Sequence, residues 1–285
     1  MTAGSRLNLQ LADGPVLLPG VWDPLSALLA ERAGFGSVFL SGFAVAGTHL
    51  GVPDIGILGQ AEMADAARRV CAAVPGVAVV VDADTGYGGT SAVARTVALW
   101  EQAGAAGIFL EDQEWPKKCG HMEGKRVVDR DEWLSRLRTA LRTRSTLHVT
   151  ARTDARAVVS LEEAVTRAKM ARDLGADAVF VEAPQSVEEL ETISREVTGV
   201  TLVANMVEKG RTPLLTPAEL HDLGFDLVVS PLSGLLGAAA ALAETYSFLR
   251  SRGTLRERLD RVMPFDEFTG LVGLDKHLSD ETLDR

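Results

Sequence analysis

Eight short apolar runs alternate with eight helix-like stretches along this chain of 285 residues. The runs cover residues 16–19, 37–40, 78–81, 107–110, 147–150, 178–181, 201–204 and 227–229. They are apolar throughout rather than at every second position, as parallel strands covered on both faces are. The stretches between and after them, 24–33, 62–73, 91–103, 129–142, 161–174, 187–197, 217–223 and 234–250, carry helix signals. Asp23 precedes Pro24, an N-cap with proline in the first turn. Gly34, Gly104, Gly175 and Gly224 stand where helix C-termini are expected. Eight strand–helix units predict an α/β chain folded as a (β/α)8 barrel, residues 1–285 forming one domain. The competing architecture is an open doubly wound sheet, but the Gly-x-Gly-x-x-Gly turn that advertises it is missing. Residues 254–285 read as a helical extension broken at Pro264-Phe265. Its apolar residues Phe265, Phe268, Leu271, Val272 and Leu274 are expected to pack on the barrel or on a neighbouring subunit.

A barrel places its chemistry at the C-terminal ends of its strands. There the runs meet Trp22-Asp23, Ser41-Gly42, Asp82-Ala83-Asp84, Glu111-Asp112, Arg152-Thr153-Asp154, Glu182, Asn205 and Ser230-Pro231-Leu232-Ser233. Helix capping accounts for Asp23 and Ser233 but not for Asp82, Asp84, Glu111 and Glu182, which directly abut apolar runs. Asp82 and Asp84, two apart on a strand, are expected to share a face. With Glu111 they make an oxygen-only set that suits Mg2+ or Mn2+. Pairing of one acid with Arg152 is the other reading. Arg152 itself can grip a substrate carboxylate or phosphate bidentately, or form a structural bridge to an acid. Cys119 lies in the polar loop Lys117-Lys118-Cys119-Gly120-His121. Two lysines and a histidine around a thiol are expected to lower its pKa and ready it for proton transfer; an inert small side chain is the alternative.

Charge and cysteine content exclude several functions. The formal net charge is −10, and no stripe of Lys and Arg is present, which argues against a nucleic-acid partner. The two cysteines, Cys71 and Cys119, form no disulfide framework and suit a reducing cytoplasm. The N-terminus lacks the apolar core of a signal peptide, and the longest later apolar run, 235–243, is too short to cross a bilayer.

Seven motifs extend this reading. DADTGYG at 82–88, LEDQ at 110–113, KKCGH at 117–121, ARTDA at 151–155, EA at 182–183, ANMVE at 204–208 and SPLSG at 230–234 resemble the isocitrate lyase/phosphoenolpyruvate mutase superfamily. The likeness runs from about Gly20 to Gly273 and lies nearest the branch of 2-methylisocitrate lyase, dimethylmalate lyase and carboxyvinyl-carboxyphosphonate phosphorylmutase. The resemblance implies a barrel that binds Mg2+ through Asp54, Asp82, Asp84 and Glu111, partly by way of water. It implies that Ser41, Gly42 and Phe43 hold a substrate carboxylate, and that Arg152, Glu182, Asn205, Pro231 and Ser233 complete the substrate site. It gives Cys119 the protonation of an enolate carbon, with Lys117 and His121 on a gating loop, and a homotetramer that exchanges C-terminal helices.

The chain also departs from the tricarboxylate-cleaving relatives. It reads CGHMEGK where they read CGHRPNK, and Leu236 stands where they carry an Arg. Two fewer cations favour a smaller or less charged substrate, with Val45, Met122, Leu214 and Leu235 expected on the variable side of the pocket. The expected activity is Mg2+-dependent retro-aldol cleavage of a 2-hydroxy di- or tricarboxylic acid. The alternatives are a phosphonomutase forming a P–C bond and a non-catalytic binder of 2-oxo acids.

Overall fold

A computed structural model describes residues 2–283. Eight strands form a closed barrel in chain order: β1 (Val16–Val21), β2 (Ser37–Leu40), β3 (Ala78–Asp82), β4 (Gly107–Glu111), β5 (His148–Thr153), β6 (Ala178–Val181), β7 (Thr201–Asn205) and β8 (Leu227–Ser230). Every neighbouring pair is parallel, and β1 closes on β8 with Val16 opposite Leu227. Five strands, β3, β4, β5, β7 and β8, run further at their C-terminal ends than their apolar cores do, because the parallel ladder carries on through polar residues. Glu111 thus pairs with Arg152, and Arg152 with Phe180. This extension stiffens the residues that point out of the barrel mouth.

The helices are α1 (Ala3–Asp13), α2 (Pro24–Arg32), α3 (Gly42–Val45), α4 (Gln60–Ala73), α5 (Thr90–Ala103), α6 (Arg130–Thr143), α7 (Ala155–Val158), α8 (Leu161–Leu174), α9 (Val187–Glu196), α10 (Pro217–Asp222), α11 (Ser233–Arg252), α12 (Phe265–Leu271) and α13 (Leu274–Leu283). Asp23 caps α2 as expected, accepting from the Ser26 N–H at 2.7 Å. Alternate strand residues divide two cores. On β3, Ala78 and Val80 face the barrel interior, while Val79 and Val81 face the helices. The N-terminal helix α1 was not foreseen. Its Leu7 is fully buried and joins the interior cluster with Leu18, Val80 and Leu227, so α1 plugs the barrel opposite the mouth.

The C-terminal extension does not settle on the barrel. Phe265 is 84% exposed, and Phe268, Val272 and Leu274 are each more than 40% exposed, although Arg32 on α2 pairs with Glu267 on α12. Residues 284 and 285 of the extension, like Met1, lie outside the described residues. Among the described residues no helix is long and apolar enough to cross a membrane. If α1 is a stopper, Leu7→Ala should cost about 3 kcal/mol in urea unfolding. Leu9→Ala, at a position 56% exposed on the same helix, should change the midpoint little.

Candidate active site

The mouth of the barrel has an aromatic floor. Phe39, Phe109 and Phe180 top the interior cluster, with ring centroids 4.9 Å apart for the first pair and 5.7 Å for the second. The Arg152 guanidinium carbon lies 5.5 Å from the Phe180 centroid. Above the rings is a cavity of ≈ 480 Å³, counting the part that opens to solvent. This suits a small carboxylic acid.

On one side stand the acids. Asp82 closes β3 and lines the cavity, and a Cβ on Gly42 would lie 2.9 Å from its Oδ2, so only glycine fits there without displacing it. Asp84 does not continue the strand as expected. It sits in a turn in the left-handed region (φ 45°), its backbone N–H donating to Asp82 Oδ1 at 3.1 Å. The Lys117 ammonium lies 2.5 Å from Asp54 Oδ1 and 2.7 Å from Asp84 Oδ1. Although burial disfavours its charge, Asp84 and Asp54 hold Lys117 well above the usual lysine range. Burial pushes the Glu111 carboxyl well up and Asp84 to about 7. Among the described residues no three His, Cys, Asp or Glu side chains form a ready metal cage. The donor set nonetheless fits a hard divalent ion reached partly through water: it is all oxygen, and Glu111 Oε1 is buried with no hydrogen-bond partner.

The other side is organised by β5. Arg152 Nε donates to Asp154 Oδ2 at 3.0 Å, and the guanidinium lies 3.3 Å from both Glu111 Oε2 and Glu182 Oε2. Asn205 Nδ2 donates to Glu182 at 3.3 Å. Burial opposes the charge of Asp154, yet Arg152 and Lys125 hold it down to about 2. Asp112, which the sequence reading left without a role, is fully buried beneath this group. It accepts from Thr153 Oγ1 at 2.6 Å, from the Asp154 N–H at 2.8 Å and from Arg167 at 3.0 Å. Asp112 thus fixes the turn that aims Arg152.

The loop from Gln113 to Val127 leaves β4 and covers the cavity, its two arms joined by an antiparallel bridge between those residues. Gln113 braces it inside, donating to Lys118 O at 2.8 Å and accepting from Lys118 N at 2.9 Å. Cys119, Gly120 and His121 face the cavity. His121 Nδ1 accepts from the Arg211 N–H at 3.1 Å, which leaves the neutral ring's proton on Nε2, 3.5 Å from Glu182 Oε1. Burial lowers the pKa of His121.

The expectation of a low thiol pKa fails. Burial pushes Cys119 up to about 11, and Asp54 and Glu182 add to the rise. The lysines beside it in sequence point elsewhere: Lys117 to Asp54 and Asp84, and Lys118 to the Glu123 carbonyl. Cys71 is core packing as expected, its thiol pushed to about 12 by burial.

Of the expected site residues, Ser41, Phe43, Asp54, Asp82, Cys119, His121, Arg152, Glu182, Asn205 and Pro231 share the cavity wall. Gly42, Asp84, Glu111 and Lys117 stand behind that wall, in contact with it. Ser233 is off it, on the first turn of α11, its hydroxyl donating to Glu208. The Ser41 hydroxyl caps α3, accepting from the Ala44 N–H at 3.3 Å, which keeps its O–H as a donor for the cavity. None of Val45, Met122, Leu214 and Leu235 reaches the cavity: Val45 is buried in the helix–strand core, and Met122 and Leu214 are exposed. Val207, Val229 and Leu232 form the apolar side instead, and no spacing rule marked them.

The model of the family described as phosphoenolpyruvate phosphomutase matches residues 7–249, nearly the whole barrel. The chain belongs to this family. It is an enzyme of the isocitrate lyase/phosphoenolpyruvate mutase superfamily, as the motifs implied. Over 264 residues it is 46% identical to the petal death protein of Dianthus caryophyllus, covering 92% of this chain and 83% of that one. It is 44% identical to the chloroplastic carboxyvinyl-carboxyphosphonate phosphorylmutase of Arabidopsis thaliana, over 92% and 78% of the two chains. To the 2,3-dimethylmalate lyase of Eubacterium barkeri it is 39% identical, over 96% and 95%. Among solved structures, oxaloacetate acetylhydrolase in complex with 3,3-difluorooxalacetate superposes with a TM-score of 0.94 at 36% identity, over 99% and 96% of the chains. Phosphonopyruvate hydrolase with oxalate and Mg++ superposes with a TM-score of 0.89 at 28% identity, over 99% of each.

The raised thiol pKa has a direct readout. Thiolate is the species that iodoacetamide alkylates, so the Cys119 rate should climb about tenfold per pH unit and bend only near pH 11. A plateau near pH 7, followed by peptide mass spectrometry, would show a lysine-activated thiolate instead.

Proposed function

We propose that this enzyme is a divalent-metal-dependent carbon–carbon lyase. It cleaves a 2-hydroxy di- or tricarboxylic acid, malate- or methylisocitrate-like, to a 2-oxo acid and an enolate-derived acid. One observation carries the reading: a thiol kept protonated by burial shares a cavity wall with Asp82, Arg152 and Glu182. A thiol beside carboxylates and a guanidinium, over an apolar floor, suits protonation of a carbanion generated in place. Among the described residues the only lysine or arginine on the wall is Arg152, and three carboxylates already surround it. This favours a malate-like diacid over a tricarboxylate.

Asp54, Asp82, Asp84 and Glu111 would hold Mg2+, or Mn2+ in its place, partly through water, and the ion would supply positive charge for the developing oxyanion. Ser41, Gly42 and Phe43 hold the substrate carboxylate through hydroxyl and backbone donors. Arg152, Glu182 and Asn205 orient the hydroxy-acid end. The hydroxyl proton passes to a base, and the carbon–carbon bond breaks with its electron pair going into the enolate. The former alcohol carbon becomes the carbonyl of the 2-oxo acid. Cys119 Sγ–H then gives its proton to carbon, and the closed loop keeps water from competing.

A second reading is phosphonate chemistry, favoured by the 44% identity to the Arabidopsis phosphorylmutase. Phosphorus NMR after incubation with a carboxyphosphonoenolpyruvate-type substrate separates the two, since only a mutase yields a new P–C resonance. The lyase reading is tested by assaying released pyruvate, glyoxylate or oxaloacetate from a panel of alkylmalates and alkylcitrates. Turnover should appear with a malate derivative, stop with EDTA and return with Mg2+. Cys119→Ala should fold normally and lose about 10²-fold or more in kcat; near-wild-type turnover removes the thiol from the mechanism.

The enzyme works as a cytoplasmic homotetramer in this reading. Two free thiols suit a reducing compartment. Support for assembly comes from α11, which has no buried residue, and from the apolar residues exposed on α11 and α12, Leu242, Tyr246 and Phe265 among them. Phe265→Asp should shift the sedimentation profile to smaller species, and an unchanged tetramer would place the interface elsewhere.

A further inference from the structure

Lys125 lies on the returning arm of the loop, six residues after Cys119. It was carried along in the CGHMEGK motif without a role. Its side chain is only 2% exposed, unusual for a lysine on a covering loop. The ammonium has two partners. It donates to Asp154 Oδ1 at 2.7 Å, and it donates to the Gly120 carbonyl. The first partner is the acid that orients Arg152, through Nε to Oδ2 at 3.0 Å and Nη2 to Oδ1 at 3.2 Å. The second belongs to the residue beside Cys119. Gly120 is itself pressed onto Glu182, where a Cβ would come within 2.5 Å of Oε2. One buried cation therefore links the thiol's own segment to the frame that holds Arg152.

We propose that Lys125 is a positioning residue, which seats Cys119 against the substrate and couples that seating to the pose of Arg152. This rests on the lyase reading above. The loop's other ties do different work. The Gln113–Val127 bridge and the Glu114 N–H to Arg126 carbonyl bond (2.9 Å) join only its base. The Cys119 N–H donates to the Asp54 carbonyl at 3.1 Å, which ties the thiol's residue to the candidate metal side, and Arg211 holds His121 Nδ1 and Glu123. Lys117 anchors the near arm to the acids of the opposite side. His121 meets Glu182 only at 3.5 Å. Lys125 ties the returning arm to β5. Cutting it takes the Lys125 donor from the Gly120 carbonyl and, among the described residues, leaves Asp154 with Arg152 as its only cation within salt-bridge reach. Both losses favour an open loop, since a buried acceptor or charge stripped of its partner is costly.

The test uses the full-length enzyme with Mg2+ and two readouts. In the first, iodoacetamide alkylation of Cys119 is followed by peptide mass spectrometry, with Cys71, packed in the helix–strand core, as the internal reference. Lys125→Met should raise the Cys119 rate about tenfold or more while Cys71 stays slow, as expected of local opening. Lys125→Arg, which keeps a cation, should restore most of the protection. In the second, with whichever malate derivative the wild type turns over, Lys125→Met should lower kcat about 10²-fold and change KM by less than about threefold. Lys125→Arg should recover most of kcat. An unchanged Cys119 rate in folded Lys125→Met overturns the proposal, and so does faster alkylation with normal kcat. If Cys71 and Cys119 accelerate together, the variant has lost its fold, and Lys125→Gln carries both measurements with the same criteria. If the wild type turns over nothing in the panel, the lyase reading fails on its own, and the alkylation ratio still decides whether Lys125 seats the thiol.

Discussion

A buried carboxylate needs a cation, and the mouth of this barrel is arranged around that requirement. Asp54, Asp84, Glu111, Asp112, Asp154 and Glu182 are each at most 5% exposed. Lys117, Lys125, Arg152 and Arg167 answer them from within. Six acids against four cations leave two acids without a matching cation, before Asp82, which opens to the cavity, is counted. The excess is not spread evenly. Asp154 is matched by Lys125 and Arg152 and held down to about 2, whereas burial and the neighbouring Asp154 charge push Asp112 up to about 6 despite Arg167. On the opposite side burial drives Glu111 and Asp84 upward. The under-compensated side is the one where a divalent ion gains most.

The barrel can carry this charge because its lower layers are conventional. The interior below the mouth is mainly apolar, with Ser37, His148 and Thr150 as its buried polar side chains, and it is closed at one end by Leu7 and at the other by three phenylalanines. Charged side chains begin only above that aromatic layer, where the strands' polar ends still have ladder partners. Backbone strain is confined to the same rim. Asp84, Tyr87, Ala183 and Lys209 adopt positive φ without being glycine, and all four follow the C-terminal ends of strands. Such residues cost roughly 1–3 kcal/mol each and persist where surrounding structure fixes them. Ala183 directly follows Glu182, so the strained turn sets how that carboxylate enters the cavity.

What could be read from the sequence follows from the range of the interactions involved. The eight strands and the longer helices between them depend on local pattern, and their order was legible, whereas α1 and the single-turn helices α3 and α7 were not. Also legible was the position of Asp82, Glu111, Arg152, Glu182 and Asn205, because each ends an apolar run. Long-range pairings were not. Asp112 meets Thr153 and Asp154 across more than forty residues, and Lys125 meets Asp154 across 29. No spacing within either segment announces the contact. The helix α1 was missed because its mean polarity resembles a solvated leader, and only the open end of a barrel gives Leu7 a place. The misplaced pair Asp82 and Asp84 shows the limit of a two-residue repeat, since it holds only while the strand lasts, and the strand ends at Asp82.

The thiol shows the same limit chemically. Lys117, Lys118 and His121 surround Cys119 in sequence, and that nearness suggested a thiolate. In the folded chain both ammonium groups turn away, and burial, with Asp54 and Glu182, outweighs the His121 backbone N–H and Arg152, which act the other way on the sulfur. A thiolate on this wall would add one more buried anion where burial already drives Asp84 and Glu111 towards their neutral forms, and it would have no proton to give. A neutral thiol does neither. It is tolerated beside carboxylates, and it becomes a strong enough acid only when a basic carbon appears within reach. The acidity that the reaction needs therefore comes from the strength of the enolate as a base, so the sulfur can wait protonated through binding and bond cleavage. For that to work the sulfur must stand at the right carbon when the bond breaks, which makes the seating of its loop as consequential as its pKa.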